Sequence, residues 1–307
     1  MKWKASDIPD LKGKIAIVTG ANSGIGFQTS LALARKNAMV IMAVRSREKG
    51  LHAAEIIHAE VPNAELVVMK VDLANIESVK HFADGYLEEF QRLDILINNA
   101  GVMALPLMHT AQGFEIQLGT NHLGHFVLTA LLIDILSRTA NSRIVNVSSL
   151  AYKIGKVSFD DINYEKSYSR LKAYAQSKLS NLLFTMELDR KLRLSGKSII
   201  VSSAHPGYAK TNLHARAAEI EGAGVIFSVI RFANYVFGQK ASKGALPVLY
   251  AATSPNVKST GYYGPDGIFS LYGYPTEEYV DSKYVVPMDA VKLWDLSEKL
   301  TGIKFTI

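Results

Sequence analysis

From Lys14 onward, short apolar, β-branched runs alternate with longer stretches of helical periodicity, and this alternation restricts the fold more than any other feature of the chain. Residues 15–19, 39–44, 65–71, 94–98, 143–147 and 198–203 are six apolar runs bounded by Gly, Asn, Asp or Ser, each too short for a typical helix. Between them, helical patterns cover about residues 24–36, 46–59, 75–91, 112–138 and 169–195. Strands separated by helices are joined by crossovers and not by hairpins. The expectation is an α/β fold, a doubly wound parallel sheet with helices on both faces. No repeat, low-complexity tract or Pro/Ser-rich linker divides the 307 residues, so 1–307 reads as a single domain. Beyond Ala252, Gly, Pro and Tyr crowd together in GYYGPDG and LYGYP, which reads as irregular loop. A terminal helix follows over 289–300, with Asp289 placed to cap it, Gly302 to end it and Trp294 in the core.

Composition removes several classes. With 48% hydrophobic and 20% charged residues the chain is neither disordered nor fibrous. Its zero cysteines exclude disulfides, thiolate metal sites and a cysteine nucleophile, in keeping with a reducing compartment. The net charge of +6 is scattered, and the densest cluster, Arg45, Arg47 and Lys49, is a local anion site, so no nucleic-acid partner is expected. The start, MKWKASDIPDLKGK, has no apolar core of the kind a signal peptide or anchor needs. The apolar stretch 222–238 carries Arg231 and places Val225, Ile226, Val229, Ile230, Ala233 and Phe237 at helical spacing. It reads as a helix covering a pocket, with a membrane-surface face as the second reading and no integral membrane segment. A cytoplasmic protein is expected.

The first predicted strand ends in Thr19-Gly20-Ala21-Asn22-Ser23-Gly24-Ile25-Gly26, and a helical pattern begins at once. Glycines there permit a tight turn and close approach to a pyrophosphate, while the helix amino terminus offers N–H groups to negative charge. In this context Gly20, Asn22, Ser23, Gly24, Ile25 and Gly26 are candidate dinucleotide-binding residues of a Rossmann-type sheet. Where NAD-selective folds place an acid after the second strand, this chain has Arg45, 19 positions beyond Gly26. A guanidinium can clasp a ribose 2′-phosphate that an acid would repel, so the expected cofactor is NADP(H). Ser23, within the turn, adds no second positive charge to Arg45.

The TGxxxGIG spacing resembles the short-chain dehydrogenase/reductase family, and further motifs follow in the family's order: Asp72-Leu73, Asn98-Asn99-Ala100-Gly101, Asn121, Ser148-Ser149, Tyr174-Ala175-Gln176-Ser177-Lys178 as YxxxK, and His205-Pro206-Gly207. NHLGHF at 121–126, RIVNVSSLA at 143–151, SKLSNLLFTMEL at 177–188 and the 25 positions separating Ser149 from Tyr174 resemble its retinol-dehydrogenase-like branch. The resemblance covers about residues 12–302 and implies an oxidoreductase interconverting a carbonyl and an alcohol on a lipophilic substrate. It implies cofactor contacts at Asp72, Leu73, Asn99, Ala100, Gly101, Tyr174, Lys178, Pro206, Gly207 and Thr211. It implies, too, a catalytic set of Asn121, Ser149, Tyr174 and Lys178, with Ser149 and Tyr174 touching substrate. Eukaryotic members of the branch commonly carry an amino-terminal membrane anchor, which the sequence here does not display. Helices 112–138 and 169–195 are where members of the family form homodimers, a surface that long insertions can block, so both a homodimer and a monomer are open readings.

Tyr174 and Lys178 stand at i and i+4, so on spacing alone they are either an ordinary surface pair or a working one. In a working pair the ammonium favours the phenolate and brings tyrosine toward a useful acid/base range. By resemblance, Ser149 holds the substrate oxygen while Ser148 is structural, and Asn121 keeps a water-linked proton path to the lysine. His122, His125 and His205 lack acidic partners at ligand spacing, so no metal is expected. Asp160-Asp161 reads as a solvated turn. Substrate-pocket segments are expected at about 152–168, 208–238 and 262–275. Two rival readings are a carbon–carbon double-bond reductase resembling light-dependent protochlorophyllide reductases, which use a cysteine this chain lacks, and a non-catalytic NADP(H) sensor, which would ordinarily lose the tyrosine or lysine.

Overall fold

A computed structural model describes residues 2–208 and 239–307. Its eight strands form one sheet in the order β3-β2-β1-β4-β5-β6-β7-β8. They are β1 (Ile15–Thr19), β2 (Met39–Val44), β3 (Leu66–Lys70), β4 (Ile95–Asn98), β5 (Arg143–Val147), β6 (Ile200–Ala204), β7 (Tyr262–Pro265) and β8 (Pro275–Glu278). All neighbouring pairs are parallel except β7 with β8. The six expected strands are present within a residue or two, and their apolar content follows from burial on both faces.

Helices α1 (Gly24–Ala34), α2 (Arg47–Glu60), α3 (Ile76–Glu89), α4 (Gly124–Arg138), α5 (Arg170–Leu194), α6 (Leu246–Thr253) and α7 (Pro287–Thr301) cover the sheet. One core layer joins α1, α2 and α6 to residues such as Ala16, Val18, Val40 and Met42. The other joins α3, α4, α5 and α7 to the opposite strand faces through Ile17, Ile41, Leu96 and Ile144. Alternate residues of one strand thus feed two separate cores, which is what a doubly wound sheet requires.

Three expectations change. The helix expected over 112–138 is broken: Ile116–Leu118 passes into a π turn, Gly119–Leu123, before α4. The stretch read as irregular after Ala252 supplies β7 and β8, because Tyr262 and Tyr263 side chains bury on opposite faces despite the neighbouring Gly and Pro. Helix α7 starts with Pro287 at its first position, where a missing N–H costs nothing, and Asp289 lies in the first turn without capping. Its end is as expected, with Gly302 left-handed at φ 69° and Trp294 buried.

Candidate active site

The winding direction reverses between β1 and β4, parallel neighbours whose carboxyl ends therefore open a crevice. Gly20 and Gly24 turn the chain there with φ of 69° and 56°. A Cβ on Gly26 would stand 2.3 Å from the Gly20 carbonyl oxygen, and one on Gly20 would stand 3.1 Å from Ala100 Cα. Ser23 precedes α1 without making a side-chain cap bond, so it leaves the first N–H groups of that helix free of its hydroxyl. Ile25 is buried beneath the turn, while Asn22 is half-buried beside it. A glycine cradle beneath a helix terminus not capped by its own serine fits a dinucleotide pyrophosphate.

Thr19 organises the crevice. Its hydroxyl accepts N–H bonds from Asn99 and Ala100, both at 2.9 Å, while the Asn99 amide donates to the Thr19 carbonyl at 2.7 Å. With two acceptor positions used, the hydroxyl proton lies between His125 Nε2 at 2.9 Å and the more distant Ile97 carbonyl at 3.3 Å. His125 then carries its proton on Nδ1, which donates to the main-chain oxygen of Asn121 at 3.0 Å. Burial pushes His125 down to about 4, so the ring is neutral and both nitrogens are used.

The Asn121 side chain lies in the π turn and binds the backbone of Val102 twice, accepting at 2.7 Å and donating at 2.9 Å, and also donates to Ser177 Oγ at 2.9 Å. Gly101 lies against this group: a Cβ there would be 3.1 Å from Asn121 Oδ1 and 3.4 Å from Lys178 Nζ. Lys178 donates to the Val147 carbonyl at 3.0 Å, and its Nζ is 5.8 Å from the centre of the Tyr174 ring. Burial alone brings Lys178 down to about 8. Burial raises the Tyr174 phenol above its ordinary value, and the nearby Ser149 hydroxyl, which acts in the lowering direction, does not offset it. The direction is therefore opposite to the lowering expected from the ammonium: desolvation sets it, and Lys178 does not figure among its causes.

The twin serines separate clearly. Ser148 donates to the carbonyl of Lys178 at 2.8 Å and so faces α5, whereas Ser149 meets Tyr174 and accepts from Ala151 N–H at 3.2 Å. Asp72 accepts from Ala74 N–H at 3.0 Å, and Leu73 packs where α4 begins: a Cβ on Gly124 would be 2.4 Å from the Leu73 oxygen. Arg45 is exposed just past β2. Pro206 accepts from the Gln239 amide at 2.7 Å, and Gly207 is left-handed at φ 64°. Thr211 and the apolar segment 222–238 lie outside the described residues. Asp161 accepts from the N–H groups of Glu165 and Lys166, as a turn residue does.

Sequence reasoning did not single out the roles of Thr19 and His125, nor a buried ladder in which Asn98 donates to Asn146 at 2.8 Å, Asn146 to Thr185 at 2.9 Å, and Thr185 meets Ser203 at 2.7 Å. The only available signal was a polar residue inside an apolar run. A shallow cleft of about 330 Å³ lies elsewhere, between Arg190, Trp294 and Phe305, far from these groups. His122 bonds Ser297 through Nε2 at 2.9 Å, and among the described residues no three His, Asp or Glu side chains gather to hold a metal. No helix among them is long and apolar enough to cross a membrane.

Known proteins bear the same pattern. The model of the short chain dehydrogenase family matches residues 14–221. The chain belongs to that family, whose members are oxidoreductases using NAD or NADP. Within it the chain is retinol-dehydrogenase-like: it is 40% identical over 306 residues to retinol dehydrogenase 14 of Homo sapiens, covering 95% of this chain and 88% of that protein. It is also 41% identical over 295 residues to retinol dehydrogenase 13 of Homo sapiens, covering 96% and 86%. The crystal structure of an uncharacterized protein from Mycobacterium paratuberculosis superposes with a TM-score of 0.83 at 39% identity, covering all of both chains.

Proposed function

We propose that the chain is an NADP(H)-preferring oxidoreductase that interconverts a carbonyl and an alcohol on a lipophilic small molecule of retinal, steroid or ketone type, working in the cytoplasm. The observation that carries this reading is the buried Lys178 ammonium 5.8 Å from the centre of the Tyr174 ring, with Ser149 near the phenol, at the crevice where Gly20, Gly24 and Gly26 form their cradle. Identity to retinol dehydrogenases over nearly the whole chain supports the alcohol–carbonyl class. The absence of cysteine accords with a reducing compartment.

The cradle, with Asp72, Leu73, Asn99, Ala100, Gly101, Pro206, Gly207 and Thr211, would hold the dinucleotide, and Arg45 its 2′-phosphate. The bound nicotinamide supplies the hydride. Ser149 orients and polarises the substrate oxygen, and Tyr174 exchanges a proton with that oxygen. A buried phenol with a raised pKa stays protonated at neutral pH and is ready to donate in the reductive direction. Lys178 tunes the phenol and binds ribose, while Asn121 keeps the proton path to Lys178 connected.

The test is consumption of NADPH or NADH, followed by absorbance, with a panel of lipophilic aldehydes and ketones. Turnover that favours NADPH and larger apolar substrates is expected. Absence of turnover across the panel, with dinucleotide binding retained, would favour a sensor instead.

A further inference from the structure

His205 has no metal-ligand spacing in the sequence, yet the structure gives it a specific acidic partner. It follows β6 directly, is completely buried, and stacks on Tyr262 with ring centres 5.1 Å apart. Its Nδ1 accepts the N–H of Gly207 at 3.1 Å, so that nitrogen carries no proton. The proton therefore sits on Nε2, which donates to Glu278 Oε1 at 2.8 Å. Glu278 ends β8, 73 residues away, and its side chain is only 12% exposed. The chain leaves room for the pair by having no side chain at Gly264, where a Cβ would lie 2.0 Å from Nε2 and 1.9 Å from the carboxylate oxygen.

The turn Pro206–Gly207 follows β6, whose Ala204 carbonyl accepts the Ser148 N–H at 2.8 Å, so it lies beside the end of β5 that carries Ser149, where the hydride-carrying nicotinamide half has to reach the substrate; the His205–Glu278 bond holds one side of this turn. The other side is held by Gln239, which donates to Pro206, and by Leu271, whose carbonyl accepts from Tyr208 at 2.8 Å. A Cβ on Gly207 would be 2.4 Å from that same Leu271 oxygen, so the turn has little freedom to shift. Tyr262, which stacks on the imidazole, has its phenol raised first by burial and then by the Glu278 charge.

We infer that His205 and Glu278 are a positioning pair that fixes the Pro206–Gly207 turn against the nicotinamide half of the bound dinucleotide. The carboxylate selects the Nε2–H tautomer, and that tautomer leaves Nδ1 free to orient Gly207. Neither group touches the reacting atoms. The inference rests on the dinucleotide reading above.

Binding measurements separate the two. NADPH and adenosine 2′,5′-bisphosphate, which contains only the adenine half, are titrated calorimetrically into the full chain and into Glu278→Ala and Glu278→Gln. Failure of the unsubstituted chain to bind NADPH would overturn the dinucleotide reading, and this inference with it. With that binding present, Glu278→Ala should weaken NADPH by roughly tenfold, the scale of one lost charge-assisted hydrogen bond, and leave the bisphosphate within about twofold. Glu278→Gln, whose amide oxygen still accepts from Nε2–H, should recover most of the loss. Equal weakening of both ligands, no weakening of either, or no recovery by glutamine would each overturn the pair's positioning role. Imidazole ¹⁵N spectra of the glutamine variant should retain the Nε2–H tautomer at His205, and a switch to Nδ1–H would count against it.

Discussion

The crevice between β1 and β4 and the far edge built by β7 and β8 are held in opposite ways. At the crevice, polar side chains are buried and bound to one another or to backbone: Thr19 to His125, Asn121 to Val102, Lys178 to Val147. At the edge, the loop between the last two strands leaves Ile268 64% and Phe269 83% exposed, and places Phe269 and Ser270 in left-handed backbone at φ 54° and 57°. The difference teaches that buried side-chain hydrogen bonding is concentrated where chemistry is expected. Among the described residues the edge reaches the Pro206–Gly207 turn through Glu278 to His205 and Leu271 to Tyr208.

The contrast breaks most sharply at Tyr174. Tyr174→Phe keeps ring volume and removes the proton donor, so kcat should fall by roughly 10²–10⁴ while dinucleotide affinity stays within a few-fold, as single-turnover and binding measurements would report. Retained kcat would end the assignment. Next in size is Arg45→Asp, which should reverse a roughly ten- to hundredfold preference for NADPH over NADH in kcat/KM. An unchanged ratio would make Arg45 a bystander.

Lys178 sharpens the comparison from the stability side. Burial brings it to about 8 from an ordinary 10.5, so at neutral pH the folded chain carries a disfavoured buried charge. Between those values the unfolded chain binds more protons than the folded one, so this group's contribution to stability rises with pH across the window. Lys178→Met should therefore abolish turnover yet raise Tm by about 2–5 °C at pH 7, an advantage that fades toward pH 10. Val147 keeps a partner in Asn181, which donates to it at 3.0 Å. A lowered Tm would show that the Lys178 bond outweighs its burial. The smallest effect belongs to the edge: Phe269→Gly relieves left-handed strain and exposes nothing further, so stability should change by at most about 1 kcal/mol, in the stabilising direction, in a urea titration.

How much of this was legible in the sequence follows the range of the interactions. Strands β1 to β6 announce themselves because each is a local apolar run, and the glycine turn because a strict local geometry demands it. Pairings across distance are silent: Thr19 and His125 are 106 residues apart, and neither one's neighbours hint at the other. Strands β7 and β8 escaped because Tyr262-Tyr263-Gly264-Pro265 and Pro275-Thr276-Glu277-Glu278 carry the residues that ordinarily mark loops. They are strands only because β6 offers β7 a parallel partner. Ser149 and Tyr174 were legible as motif members, but the reversal in Tyr174, raised by burial instead of lowered by lysine, depends on how deeply the site lies.

The antiparallel pairing of β8 with β7 also has a bearing on self-association. An unpaired strand is a template on which another chain can extend the sheet, and long flat apolar ones invite aggregation. Here the outermost strand is four residues long, begins with a proline that has no N–H to give, and turns Glu277 outward to Lys258 while Glu278 turns in to His205. A second molecule arriving at this rim meets a short, charged, donor-poor margin. Contact between copies there has to be made by side chains and not by continuing the sheet.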